Sequence, residues 1–315
     1  MNDVLPPLPA GAKCTRCRDQ ATIRLPSHNA KLCPQCFSLY FFTGVRRAMK
    51  NFGLPGTLPL MVAVSGGKDS LAVWDTLHEL GYTTKGLHVD LGIDGFSTPS
   101  MEAVRRFAEQ RGLPWVTYSL RDAFGYTVPE IQKRTRRKIC SVCGFLKRQL
   151  LNRLAVKEGF EAVVVGHNLD DEAGRLLGNM TRHRTQYFEK QYPFLPSTHP
   201  RLTAKLKPLY RLEAHEIRTY CKVKNIIPVE PKCPLSRGAT SHAFKEALDL
   251  LEIRMPGTKR DFLFTYLDRR EPPRDTSPFE SCSQCGEPSF GEICSVCRLK
   301  TQLAEEKSAP ALEDQ

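Results

Sequence analysis

A glycine-rich hexapeptide, Ser65-Gly66-Gly67-Lys68-Asp69-Ser70, lies between an apolar run and a helical pattern, and no other stretch restricts the fold as tightly. Upstream, Leu60 to Val64 reads as a short buried strand. Downstream, Leu71, Trp74, Leu77 and Leu80 recur every three residues within Asp69 to Leu80 and mark a helix face. A strand, a tight turn and a helix in that order aim backbone N–H groups and the positive helix end at the turn. Glycines there let an anion approach the backbone, so the segment predicts a phosphate site. The alternation continues: strands over 85–89, 115–120 and 162–165, helices over 99–111 and 141–157, then helices over 213–224 and 242–253. This predicts an α/β fold with a doubly wound parallel sheet and ligands at the carboxyl ends of its strands. Thr181 to Pro208 carries four prolines and many basic residues and reads as a loop, and the last fourteen residues read as a disordered tail.

Composition narrows the setting. The longest apolar runs fall far short of the ~20 residues of a spanning helix, and the N-terminus has no apolar leader, so a cytosolic protein without a membrane partner is expected. There are 46 Lys+Arg against 34 Asp+Glu, a net charge of +12, which favours a polyanionic partner. Twelve cysteines in a reducing compartment point to metal or thiol chemistry rather than disulfides. Ten of them form five Cys-x-x-Cys pairs, with Cys221 and Cys233 outside. Cys14/Cys17 and Cys33/Cys36 are separated by fifteen residues, and Cys282/Cys285 and Cys294/Cys297 by eight. Each double pair has the spacing of one tetrahedral four-cysteine zinc site, giving two Zn2+. Such small modules bury too little apolar surface to fold alone, so the metal contributes the missing stability. The expected organisation is an N-terminal zinc module over 1–50, a catalytic domain over 51–275, a C-terminal zinc ribbon over 276–300 and the tail over 301–315.

The hexapeptide is not the P-loop of kinases, which needs Gly where Val62 stands and Ser or Thr where Asp69 stands. It resembles the SGGxDS loop of the PP-loop ATP pyrophosphatases, which cleave ATP to AMP and pyrophosphate while adenylating an oxygen. The likeness extends to Leu87-His-Val-Asp-Leu-Gly-Ile93, to Cys140-Ser-Val-Cys143 with Lys147, to Gly166-His-Asn-Leu-Asp-Asp-Glu172 and to Cys233-Pro234. With the two terminal zinc modules, residues 14–298 resemble the TtuA-type tRNA 2-thiouridine synthetases. The resemblance implies that ATP activates the C2 oxygen of a tRNA uridine and that sulfur replaces it. It also implies a [4Fe-4S] cluster on three cysteines with one open iron. A thiocarboxylated ubiquitin-like protein or free sulfide as donor, and a homodimer, follow from the same likeness.

On a helix at 100° per residue, Cys140, Cys143 and Lys147 fall at roughly 0°, 300° and 340°, one stripe presenting two sulfurs and an amine. The resemblance implies that Cys233 joins Cys140 and Cys143 as the iron-sulfur set. From the residues alone, a redox pair or a zinc site completed by histidine stays open. Gly66, Gly67 and Ser70 are expected to cradle phosphate and Lys68 to neutralise it, while Asp69 either holds Mg2+ or caps the helix. The resemblance extends nucleotide contact to Val64, Ser65, His88, Asp90, Gly166 and His167, and matches Lys147 and Asp171 to catalytic residues. Asp170 reads as a cap, and Cys221 as a buried small hydrophobe. Lys133, Arg134, Arg136, Arg137 and Lys138 run up to Cys140 without an acidic residue, the pattern of an RNA contact. Arg182, Arg184, Lys190, Arg201, Lys205, Lys207 and Arg211 interleave with Tyr187, Phe188, Tyr192 and Phe194 as a second such set. Two alternatives stand beside this reading: a PP-loop enzyme thiolating another tRNA base such as cytidine, and a non-catalytic zinc-ribbon RNA-binding protein.

Overall fold

The computed structural model describes residues 8–135, 137–188, 191–230, 233–236, 240–270 and 279–308, with side chains omitted at 186 and 306–308. Arg136 and Lys190 of the expected basic sets lie outside the described residues.

Strands β1 (Ile23–Leu25) and β2 (Ala30–Leu32) form an antiparallel hairpin. Cys33 then caps helix α1 (Pro34–Asn51), its sulfur accepting from the Cys36 N–H, with Pro34 in the first turn. Phe37, Phe41, Val45 and Ala48, spaced three or four apart, are fully buried. Phe41 stacks on Tyr220 with centroids 3.9 Å apart. Helix α1 ends at Asn51, next to the boundary expected after residue 50, and its buried face packs the N-terminal module against the main core.

The main sheet begins with β3 (Leu60–Ala63), followed by α2 (Lys68–Glu79), β4 (Thr84–Asp90), α3 (Ser97–Arg111) and β5 (Trp115–Ser119). Two short helices, α4 (Leu120–Phe124) and α5 (Val128–Lys133), lead to α6 (Ile139–Lys157), β6 (Ala162–Val164) and α7 (Leu169–Met180). Strands β7 (Phe194–Leu195) and β8 (Ala204–Leu206) complete a six-stranded sheet ordered β5-β4-β3-β6-β8-β7, parallel except for β7. The chain builds outward from β3 to β5 and returns on the other side of β3 as β6. The crevice at that switch point lies between the carboxyl ends of β3 and β6, where the loops 65–70 and 166–171 emerge. Both faces of the sheet are covered, so Met61 and Val163 enter one core cluster while Leu60, Val62 and Val164 enter the other. A Cβ at Gly86 of β4 would stand 2.5 Å from the Trp74 ring, so glycine there makes room for the buried indole.

Helices α8 (Ala214–Val223), α9 (Thr240–Arg254) and α10 (Thr258–Asp268) follow, then the hairpin β9 (Glu280–Ser281) and β10 (Pro288–Ser289) and helix α11 (Ser295–Ser308). Two expectations are corrected. The loop expected over 181–208 contains β7 and β8, because Ala204 and Leu206 bury against β6. The tail expected after residue 300 stays helical to Ser308, because Leu299 and Leu303 are fully buried in the cluster that includes α6; residues 309–315 lie outside the described residues. Among the described residues no helix is long and apolar enough to cross a membrane.

Candidate active site and metal centres

The 65–70 loop is held by its own side chains and by distant backbone. Gly66 takes φ +72°, and a Cβ there would lie 2.5 Å from the Ser100 carbonyl oxygen. Ser100 Oγ donates to Ser65 O at 2.6 Å, and the Val229 N–H donates to Gly66 O at 2.8 Å. Ser70 Oγ accepts from the Ser65 N–H at 3.1 Å and donates to Gly67 O at 2.9 Å. Gly67 is the N-cap of α2 and has no side chain to cap it, so the first N–H groups of α2 remain available to an anion. Asp69 does not cap α2: its Oδ1 accepts from Lys68 Nζ at 2.5 Å and from Asn168 Nδ2 at 2.9 Å. A Cβ at Gly166 would lie 2.8 Å from the Asp69 carbonyl carbon, so the two strand-end loops abut.

Asn168 and Asp171 form a reciprocal capping box at the start of α7. The spacing Asn168-x-x-Asp171 carries that signal in sequence, and the cap expected at Asp170 is corrected accordingly. Asp170 instead ties three elements together, accepting from the Ala214 N–H at 2.7 Å and from Lys259 Nζ at 2.5 Å. The other oxygen of Asp171 pairs with Lys245 of α9. Burial alone would raise the Asp171 pKa, but Lys245 and His167 overcome it and hold the carboxyl below its ordinary value. His88 is buried, with Nδ1–H donating to Val64 O at 2.9 Å. Burial lowers its pKa, so the ring is neutral and its Nε2, unpartnered among the described residues, is an acceptor. Asp90 accepts from the Gly92 N–H at 2.8 Å and shapes the turn after β4.

On α6, Val142, Leu146, Leu150 and Leu154 are buried, and along the edge of that stripe Cys140 is exposed while Cys143 and Lys147 are half-buried. Cys140 Sγ donates to Leu235 O at 3.3 Å, and the Ser236 N–H and Oγ both bond to Cys233 O, so the Cys233 turn is folded onto α6. Burial raises the Cys143 pKa, Lys147 lowers it, and Cys233 and Cys140 raise it further. The three cysteines, 93 residues apart in sequence at their extremes, thus meet beside Lys147. Among the described residues, only the two terminal sets bring three or more ligand atoms within 4.8 Å of one another. There, Cys17 and Cys33 are 3.6 Å apart and Cys285 and Cys294 3.7 Å, against about 3.8 Å for two sulfurs on a tetrahedral ion with 2.3 Å bonds. Burial raises the Cys282 pKa, but backbone N–H donors from Cys294, Gln284 and Cys285 bring it to about 6. At Cys297, burial and bonds to the other three thiols push the pKa up, as expected of a thiolate set that needs a central cation.

Lys133, Arg137 and Lys138 are exposed, and Arg134 lies over the Tyr126 ring at 5.5 Å. The second basic set divides: Arg182, Arg184 and Arg201 are exposed, whereas Lys207 and Arg211 are taken up by packing. Lys207 is 1% exposed and pairs with Glu172 at 2.8 Å, burial lowering its pKa to about 8. Arg211 lies over Phe264 at 4.5 Å, and Arg201 donates to Cys285 O of the C-terminal ribbon. Phe194 stacks on Phe52, Phe188 packs on Tyr266 and the Tyr192 hydroxyl donates to Arg270 O at 2.6 Å, so these half-buried aromatics are engaged by the rest of the fold. Tyr187 is exposed. Cys221 is buried as expected, its thiol pushed up to about 12.

A strand-end glycine loop, an uncapped helix start and a second capped helix across the switch point define a PP-loop nucleotide-binding domain. Residues 43–231 match the PP-loop domain family, and residues 13–38 match the N-terminal LIM domain of the 2-thiouridine synthetase TtuA. The chain is 40% identical over 291 residues to a tRNA-5-methyluridine(54) 2-sulfurtransferase of Thermus thermophilus, covering 91% of this chain and 90% of the relative. It is 37% identical to the protein of the same description from Thermotoga maritima, covering 94% and 98%. The U34-tRNA thiolase NcsA of Methanococcus maripaludis, solved with its [4Fe-4S] cluster, superposes with a TM-score of 0.80 at 25% identity, covering 92% of this chain and 96% of that one. The chain belongs to the TtuA-type tRNA 2-thiouridine synthetases of the PP-loop family.

Proposed function

We propose that the chain is an ATP-dependent tRNA sulfurtransferase that adenylates the C2 oxygen of a uridine and exchanges the adenylate for sulfur. The observation that carries this reading is the meeting of Cys233 with Cys140 and Cys143, next to Lys147, in a chain that also holds a complete phosphate loop. The phosphates of ATP sit on Val64 to Ser70, against the N–H groups of α2 and the Lys68 ammonium. Asp69, already placed between Lys68 and Asn168, is the carboxylate for Mg2+. The free Nε2 of His88 accepts a hydrogen bond from the nucleoside, with Asp90, Gly166 and His167 around it.

In the first step the uridine C2 oxygen attacks the α-phosphorus, a P–O bond forms and pyrophosphate leaves. Asp171, ionised beside Lys245, accepts the N3 proton. Lys147 stabilises the charge on the adenylated oxygen. In the second step a sulfur nucleophile adds at C2 and AMP departs. Cys140, Cys143 and Cys233, which are not gathered into a closed four-ligand set among the described residues, would hold a [4Fe-4S] group, which would supply an iron open to sulfide. The two terminal four-cysteine sets take Zn2+. Exposed Lys133, Arg137 and Lys138, with Arg134 and Arg136, carry tRNA phosphate to the cysteines. The sulfur comes from a thiocarboxylated ubiquitin-like protein or free sulfide, the setting is the cytoplasm, and the enzyme acts as a homodimer.

The test is anaerobic reconstitution with iron and sulfide, then mass analysis of tRNA nucleosides after adding ATP. A sulfur-for-oxygen shift in uridine, with AMP and pyrophosphate formed, is expected. Thiolated cytidine would turn the reading to the other base, and bound but unmodified tRNA would turn it to a non-catalytic protein.

A further inference from the structure

One face of α7, continued past its end, carries Asp171, Gly174, Arg175, Gly178 and Arg182, spaced three and four apart, and holds no apolar side chain. A polar face normally turns to water, whereas this one packs on α9. The two glycines permit it: a Cβ would lie 2.9 Å from Lys245 Cγ at Gly174 and 3.0 Å from the Phe244 ring at Gly178. Between the helices lies a groove with His167 and Asp171 at one end and Arg182 at the other. Arg182 lies eleven positions beyond Asp171, an axial rise of about 16 Å at 1.5 Å per residue.

The groove is furnished for a flat, anionic polymer. The Arg182 guanidinium lies over the Phe244 ring, 5.0 Å from its centroid, and pairs with no carboxylate among the described residues. Its outer face is a planar, cationic surface on which a base can stack. Asn179 donates through Nδ2 to Gln191 Oε1 at 2.7 Å, and Gln191 is fixed in turn by its bond to Glu172 O at 3.0 Å. Asn179 Oδ1 has no partner among the described residues and can accept an imino N–H, as uracil or guanine presents one. Arg175, 42% exposed, holds Glu172 at 3.3 Å and keeps its remaining donors for a phosphate.

Resting on the sulfurtransferase reading, we propose that this groove binds the nucleotide adjoining the target uridine. Its base stacks on Arg182, Asn179 reads its Watson–Crick edge and the phosphodiester lies on Arg175, so the next base along the strand reaches Asp171. The 16 Å span, about that of two unstacked nucleotides, is what requires the stacked base to be the neighbour and not the target.

The experiment compares Arg182→Ala, Arg182→Lys and the parent, all metal-loaded, for tRNA and ATP affinity. Arg182→Ala should weaken tRNA binding about tenfold and leave ATP binding unchanged. Arg182→Lys keeps the charge without the flat face, so it should restore the salt dependence but not the affinity at high salt. In parallel, tRNA carrying 5-iodouridine beside the target position is irradiated with the parent, and the adduct should map to the peptides bearing Arg182 or Phe244. A parent that thiolates tRNA, while Arg182→Ala binds equally well and adducts form elsewhere, overturns the groove and leaves the sulfurtransferase reading standing. A parent that binds no tRNA overturns both.

Discussion

Replacing Gly66 by alanine should separate the folding of the phosphate loop from its contact with ATP. At φ +72° a non-glycine residue costs about 1–2 kcal/mol. The new methyl would also stand 2.5 Å from Ser100 O, where ordinary contact starts at 3.4 Å. Relief requires moving either side of that contact. Ser100 is held by its own bond to Ser65 O and Gly66 by the Val229 N–H, so one bond worth about 1 kcal/mol must break. The sum is about 2–3 kcal/mol against the native loop, which corresponds to an ATP Kd weakened at least about thirtyfold and, if the loop shift is felt globally, a Tm lowered by about 4–8 °C. Gly67 is the internal control. Its φ is −76°, and its added Cβ would meet only Ser65 Oγ at 3.5 Å. Gly67→Ala should therefore cost less than about 1 kcal/mol as an N-cap change, and any loss of ATP affinity there measures the methyl against the phosphate. Thermal melts of the metal-loaded variants without nucleotide, and ATP titrations of each, make the comparison. If Gly66→Ala melts with the parent and binds ATP equally well, the strain argument fails.

Cys233→Ala should leave two zinc ions and ATP affinity in place while abolishing iron retention after anaerobic reconstitution, read by metal analysis; full iron retention would remove Cys233 from the cluster set. Alanine at Lys133, Arg134, Arg137 and Lys138 together should flatten the log K against log[salt] slope for tRNA by about 0.7–0.9 per lost phosphate contact, and an unchanged slope returns these cations to a merely solvated surface. Glu216, buried with Tyr40 donating to it at 2.7 Å, has its pKa raised to about 7 by burial and by Glu213. Between the unfolded value near ~4.3 and 7 the folded state binds the extra proton, so stability should fall as pH rises through that window. Glu216→Gln should remove this fall, by on the order of 1–3 kcal/mol, and parallel stability profiles from pH 5 to 8 for variant and parent would refute it.

What could be read from sequence was what local spacing encodes. The hexapeptide after an apolar run, the strand-helix alternation, and the four paired cysteines at each end all carry their meaning within a few tens of residues, and each element stands within about three residues of its expected bounds. The stripe of Cys140, Cys143 and Lys147 was legible for the same reason, since helical periodicity fixes a face without any knowledge of what covers it. Strands β7 and β8 were not, because two and three residues are too short to show a period, and prolines around them carried the stronger signal.

The site residues that escaped are those whose role depends on apposition. Lys207 looks like any basic residue near an aromatic, and only the placement of α7 over β8 sets Glu172 2.8 Å from it and closes both from water. Ser100 has no motif of its own, yet its carbonyl is the reason position 66 must be glycine. Lys245 meets Asp171 only because Gly174 and Gly178 draw α9 against α7. Local sequence thus declares which chemistry is present, while the lowered pKa of Asp171 depends on a lysine 74 residues away that helix packing brings to it. A substitution at Gly174 that pushed Lys245 off Asp171 would let burial raise that carboxyl without touching a single motif residue.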